Sequence, residues 1–331
     1  MSAPPLAVTL GDPAGVGPEI IVSAWRARTP ASRPFVVFGD ARSLASAGAD
    51  VVAVGSPGEA AAGFDRGIPV VDMPLSAPVT PGVPSAEAAP AVAGWIAAAT
   101  ESCLAGETCA LVTAPISKAV LKSAGFRHPG HTEFIGELTA RAPWDGERGP
   151  VMMLAAADLR VTLATIHIPL SKVPEALTAE GISRTVRVTA QALVRDFGVA
   201  SPRLALAALN PHAGESGEIG REEITLLGPV AEALRREGVD LAGPLPADSL
   251  FAPEIRQRHD AVVCLYHDQA LIPVKMLDFW GGVNLTLGLP VVRTSPDHGT
   301  AFDIAGRGIA RPDSFIAALR MATELADRRA R

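Results

Sequence analysis

The chain has little cysteine, few aromatic residues, no surplus of positive charge and no long apolar run, and each shortage excludes something. Its three cysteines, Cys103, Cys109 and Cys264, form no close C-x-x-C pair, so neither a disulfide framework nor a zinc knuckle is indicated and a reducing cytoplasm is expected. A formal net charge of −6 offers no sequence-wide basic field for nucleic acid or anionic lipid, so any phosphate must be held by a local pocket. No uninterrupted apolar span reaches bilayer length, and "MSAPPLAVTLGD" lacks the basic and apolar regions of a secretory signal. A cytosolic protein without a membrane partner is expected.

What is present is a 331-residue chain with 48% hydrophobic but only 5% aromatic residues, a composition suited to close-packed helices over sheets in two domains or one two-lobed unit. The apolar runs "PLAVTL", "PFVVFG", "ALVTAP", "LRVTLATIH", "RLALAALNPH" and "AVVCLYHD" read as strands. Between them, "PEIIVSAWRAR", "AEAAPAVAGWIAAATESCL", "SRTVRVTAQALVRDFG" and "REEITLLGPVAEALRREG" carry apolar residues at helical spacing. This alternation predicts an α/β protein with a largely parallel sheet covered by helices. The glycine-rich "GDPAGVGPEI" lacks the third glycine of G-x-G-x-x-G and has no Gly-Lys-Ser/Thr, so it reads as a tight strand-to-helix turn with Pro18 in the first helical turn, not as a phosphate cradle.

Three histidines share a topological position. His167 closes "LRVTLATIH", His212 follows "RLALAALN" after one proline, and His267 closes "AVVCLYH", each at or just past the carboxyl end of a strand, where open α/β sheets bind ligands. One such imidazole is an ordinary polar cap, but three converging neutral imidazoles form a catalytic divalent-metal site with open positions for substrate. Asp268 is read as a helix N-cap in preference to an outer partner of His267. His131 and Thr132, in "HPGHTEFIGELT", open a helix whose free N–H groups favour an anion, with a capping turn that holds no ligand as the alternative. Lys275 and Arg293 lie among apolar residues and require either an anionic ligand or an internal ion pair.

The motifs "GDPAGVGPEI", "TAPISK", "GHTEFIGELT", "LNPHAGESGEIGREE", "GPLPADS", "YHDQALIPVK" and "GVNLTLGLPVVRTSPDHGTAFDIAG" together resemble those of the 4-hydroxythreonine-4-phosphate dehydrogenases of pyridoxal phosphate synthesis. The resemblance implies a homodimer of two-lobed α/β/α subunits, folded like isocitrate and isopropylmalate dehydrogenases, with shared active sites in the interlobe cleft. It places one divalent ion (zinc, magnesium, manganese or cobalt) on His167, His212 and His267, contributed from both subunits. His131, Thr132, Lys275, Asn284 and Arg293 would bind a small phosphorylated hydroxy acid, with Lys275 and Asp248 the contenders for general base. The stretch "HGTAFDIAGRGIARP" resembles the adenosine-binding segment of isopropylmalate dehydrogenases, implying NAD contacts from Gly299, Thr300, Asp303 and Ile304. An acidic side chain at Asp303 can accept from both ribose hydroxyls and would repel a 2′-phosphate, which predicts NAD over NADP.

The expected division is a cofactor-side lobe of residues 1–125 and 285–331 and a metal, substrate and dimerisation lobe of 126–284. Within the same family, oxidation of a phosphorylated threonate or erythronate is the alternative. A phosphoryl or acyl transferase on a related fold would not need three histidines, and a three-histidine metal hydrolase would leave "HGTAFDIAG" idle. A binding module without catalysis would not explain polar residues gathered at strand ends.

Overall fold

In the computed structural model, which describes residues 3–128 and 130–330, twelve strands are formed among the described residues. In chain order they are β1 (Leu6–Thr9), β2 (Phe35–Gly39), β3 (Val51–Ala53), β4 (Ile68–Asp72), β5 (Leu111–Thr113) and β6 (Val151–Ala156). There follow β7 (Leu159–Leu163), β8 (Arg203–Ala207), β9 (Asp240–Leu245), β10 (Ala261–Cys264), β11 (Val283–Leu287) and β12 (Arg293–Pro296). The chain divides into two compact units, the first running up to Pro143 and resuming over Pro290–Ala330, the second being Trp144–Leu289. The first division therefore falls after residue 143 and not after 125, because helix His131–Leu138 packs against helix Ala89–Leu104. The second falls after 289 and not 284, since β11 pairs with β6.

The first unit holds a wholly parallel sheet in the order β3-β4-β2-β1-β5-β12. Every residue of β1 and β2 is buried, as a parallel strand covered on both faces requires, and this is why each reads as an unbroken apolar run. Helix Ala89–Leu104 packs on β1 and β2, while Asp313–Arg329 packs on β12 and against helix Gly17–Arg26. Pro18 sits in the first turn of the last of these, and Ile20, Ile21, Val22 and Ala24 supply its buried face.

The second unit is mixed, in the order β11-β6-β7-β10-β8-β9. The run β7-β10-β8-β9 is parallel, but β6 pairs antiparallel with both β7 and β11. The expectation of a largely parallel sheet thus holds for the first unit and for four strands of the second. The β6–β7 hairpin turns at Ala157 and Asp158, with Ala157 at φ 50°; a turn without Asn-Gly or Asp-Gly announces nothing in the sequence. Leu154, Leu159, Val161, Leu163, Ala205, Val262, Cys264 and Val274 form a buried core in this unit. All three cysteines are free thiols.

Candidate active site

In the second unit the carboxyl ends of β7 and β10 are tied to each other beyond the strands themselves. Ala164 N donates to Cys264 O at 2.9 Å, and Thr165 donates to Leu265 O from its amide at 3.2 Å and its hydroxyl at 2.6 Å. Two residues past each clamp stand His167 and His267, whose ring centroids are 5.6 Å apart. His267 opens helix His267–Leu277, with Tyr266 as the N-cap. Asp268 is consequently not the cap expected of it: its carboxylate lies 2.7 Å from His267 Nδ1, the outer contact that fixes a tautomer and leaves Nε2 for a ligand.

Gln269, to which no sequence motif gives a role, is buried in the same first turn, two residues after His267. Its Nε2 donates to Ala208 O at 2.7 Å and its Oε1 accepts from Leu265 N at 2.8 Å. One amide therefore stitches the end of β8 to the end of β10. Only a residue with both a donor and an acceptor on one planar group can do this. Its signal in the sequence was its place within "YHDQAL", two residues after a candidate ligand.

His212 follows β8 in the left-handed turn Pro211–Gly217 and is exposed, with Nδ1 3.4 Å from Glu215 Oε2. It does not complete a cluster with the other two: among the described residues, no three His, Cys, Asp or Glu side chains are grouped as a metal site. One chain thus brings together two of the three expected ligands. Asp248 is exposed on the short helix Ala247–Leu250, which packs against the His212 turn. Lys275 is half-buried on the helix that His267 opens, its Nζ 5.1 Å from the centroid of the Phe279 ring. Asn284 lies on β11 with its Oδ1 buried and lacking a hydrogen-bond partner.

The first unit gathers His131, Arg293 and Lys118. Arg293 opens β12, is 3% exposed and donates from Nη2 to Thr113 Oγ1 at 2.7 Å. Burial pulls its guanidinium pKa down to about 10, opposed by the nearby Glu133 carboxylate, so it remains a cation at neutral pH. His131 is the first residue of helix His131–Leu138, followed by half-buried Thr132. Burial, helped by the positive charges of Arg293 and Lys118, holds His131 well below the usual imidazole range. Its ring is therefore neutral, and its buried Nε2 has no hydrogen-bond partner. Lys118, in "TAPISK", was given no role by sequence; it follows Ser117, which caps its helix by accepting from Val120 N at 3.3 Å.

On the same unit the glycine-rich turn and the segment after β12 are locked to each other. Val16 N donates to Thr300 O at 2.9 Å, and a Cβ on Gly15 would stand 2.8 Å from that same oxygen. The Glu19 carboxylate accepts from Gly306 N and Gly308 N. Gly15 and Glu19, with Asp40, Arg42, Gly306 and Gly308, line a cavity of about 470 Å³. Asp303 and Gly299 are exposed, while Thr300 and Ile304 are half-buried. The opening turn thus props the candidate cofactor segment.

The chain matches the family profile described as pyridoxal phosphate biosynthetic protein PdxA over residues 31–322. It is 62% identical over 331 residues to the 4-hydroxythreonine-4-phosphate dehydrogenase of Caulobacter vibrioides, covering 99% of each chain. Among solved structures, it aligns with 4-hydroxythreonine-4-phosphate dehydrogenase from Klebsiella pneumoniae at 39% identity and a TM-score of 0.85, covering 98% of both chains. A terephthalate 1,2-cis-dihydrodioldehydrogenase from Burkholderia xenovorans aligns at 32% identity and a TM-score of 0.64, again over 98% of both. With a profile match over most of its length and a relative 62% identical end to end, the chain belongs to the PdxA family of pyridoxal phosphate biosynthetic proteins.

Proposed function

We propose that this oxidoreductase oxidises 4-phosphooxy-L-threonine with NAD in the cytoplasm, as a homodimer with shared active sites. The product, 2-amino-3-oxo-4-phosphooxybutanoate, is a β-keto acid that loses CO2 to give 3-amino-2-oxopropyl phosphate. The observation that carries the reading is that each unit holds an orphaned polar atom among its candidate substrate contacts. His131 Nε2 and Asn284 Oδ1 are buried without hydrogen-bond partners, and both belong to the residues expected to hold the substrate. A buried polar group left unmade costs about 1–3 kcal/mol, and a ligand with oxyanions, a hydroxyl and an ammonium supplies the missing partners.

In this reading His131, Thr132, Lys275, Asn284 and Arg293 grip the phosphate and carboxylate and orient the carbinol carbon toward the nicotinamide. His131, being neutral, donates one hydrogen bond without adding charge, while Arg293 supplies the fixed cation. Lys275 or Asp248 would take the hydroxyl proton, and NAD, when bound, would supply the acceptor for the hydride of the carbinol carbon. His167, His212 and His267 would hold a divalent ion, which when bound would supply Lewis-acid stabilisation of negative charge on the substrate oxygen. The donor set fits such an ion: two imidazoles lie side by side at strand ends, one backed by Asp268, and the family resemblance draws the three ligands from both subunits of a dimer. Gly299, Thr300, Asp303 and Ile304 hold the adenosine half of NAD, and the Asp303 carboxylate selects it over NADP.

Incubating the purified protein with NAD, a divalent ion and 4-phosphooxy-L-threonine tests the reading through NADH appearance and release of CO2. The Burkholderia neighbour, named for a different diol substrate at 32% identity, motivates a second reading in which a phosphorylated threonate or erythronate is oxidised. Turnover of those acids with none of 4-phosphooxy-L-threonine would replace the first reading by the second.

A further inference from the structure

We infer that Glu223 is the positioning residue of His212, acting through the backbone that enters the histidine's turn; the inference rests on reading His212 as a metal ligand. His212, Ala213, Gly214, Glu215 and Ser216 are five consecutive residues at φ between 43° and 80°. Four of them are not glycine, and each such residue costs roughly 1–2 kcal/mol in the left-handed region. Such a run persists only where its surroundings over-determine it.

The surroundings converge on one buried carboxylate. Glu223 is 6% exposed, and its Oε1 accepts from Leu209 N and Asn210 N, both at 2.8 Å. Its Oε2 accepts from Asn210 Nδ2 at 2.9 Å, and the same amide donates to Glu222 Oε2 at 2.7 Å. Two successive backbone amides are thereby fixed immediately before Pro211 and His212. The turn also closes over the carboxylate: a Cβ on Gly214 would lie 2.7 Å from Glu223 Oε2, and one on Gly220 would strike the Asn210 side chain. Glu223 itself begins the π-helical turn Glu223–Leu227, a wide turn of the kind found mostly where a helix serves a site. Aiming one exposed imidazole accounts for three features that folding alone leaves without purpose: a costly left-handed run, a buried acid and a π-turn.

Glu223→Gln tests this because it keeps shape and removes fit. The new amide can accept the two backbone bonds, but its NH2 then faces the Asn210 NH2, and turning Asn210 over sets its oxygen against Glu222. Co2+ binding, followed by visible absorption on folded protein, is the readout, with His212→Ala and Val186→Ala beside it. Val186 is buried in helix Ala179–Arg195, so its truncation lowers the melting temperature without touching the turn. The expected result is Co2+ binding weakened about tenfold or more in E223Q, weakened further in H212A, and unchanged in V186A. Weakened binding in H212A with wild-type binding in E223Q overturns the inference. Wild-type binding in H212A instead removes His212 from the metal, and the inference falls with that reading. Should E223Q not fold, N210S, which keeps both backbone bonds to Glu223, is expected to weaken Co2+ about threefold, and unchanged binding there overturns the inference equally.

Discussion

Replacing Gln269 by Leu separates the end of β8 from that of β10 while keeping the side chain's bulk. The change leaves the Ala208 carbonyl and the Leu265 amide without the partners that Gln269 supplies at 2.7 and 2.8 Å. Each buried polar group so stranded costs about 1–3 kcal/mol, for a total near 2–6 kcal/mol. Burying two more apolar carbons in place of the amide returns about 1.6 kcal/mol, at about 0.8 kcal/mol each. The net expectation is a loss of roughly 0.5–4.5 kcal/mol, measured by urea denaturation with the unfolding slope checked for a two-state transition. Because Leu265 stands two residues before His267, Co2+ affinity should also fall, by about tenfold. A loss of less than about 0.5 kcal/mol together with wild-type Co2+ binding would refute the reasoning, since it would mean that the amide neither holds the strand ends nor aims the imidazole.

Three further outcomes are expected. Arg293→Met should raise KM for 4-phosphooxy-L-threonine by about tenfold to a hundredfold, the worth of a charged hydrogen bond at 1.5–3 kcal/mol; an unchanged KM would detach Arg293 from the substrate. Asp303→Ser should move the ratio of kcat/KM for NAD to that for NADP toward NADP by about tenfold or more, and an unaltered ratio would place the ribose elsewhere. The third concerns acid. His131 has its folded pKa depressed below the ordinary value of 6.5, so the unfolded chain takes up the proton first. Stability is then full above that value and declines as pH falls below it, by at most about 1.4 kcal/mol per pH unit. His131→Gln should flatten this limb in denaturation measured across the range, and an identical slope would show that His131 is protonated in the folded protein.

The six strands legible in the sequence are those that bury both faces or end at a candidate ligand, and β1, β2, β5 and β10 are buried at every position. The unread strands lack that signal for separate reasons. β3 is a three-residue edge without a fully buried residue, and β12, "RTSP", is polar although buried. β6 reaches β7 through a turn that carries no turn chemistry. The histidines were legible because strand ends are topological positions, which a sequence marks by where apolar runs stop. The scaffolding around them was not. Gln269, Lys118 and Glu223 act through contacts across 61, 13 and 14 residues of sequence or fewer, and no local pattern records which carbonyl an amide will meet. Asp268 shows the same limit from the other side: its place directly after His267 suggested a helix N-cap, but the helix begins at His267 with Tyr266 as its cap, and the Asp268 carboxylate meets the His267 ring instead.

The central claim is that this chain oxidises a phosphorylated hydroxy amino acid with NAD, and one measurement meets it directly: NADH formation by the purified protein with 4-phosphooxy-L-threonine, NAD and a divalent ion, with and without a chelator. The account predicts NADH and CO2 in equal amounts, abolished by the chelator and restored by added metal. Absence of NADH across the divalent ions, or turnover indifferent to the chelator, would contradict it.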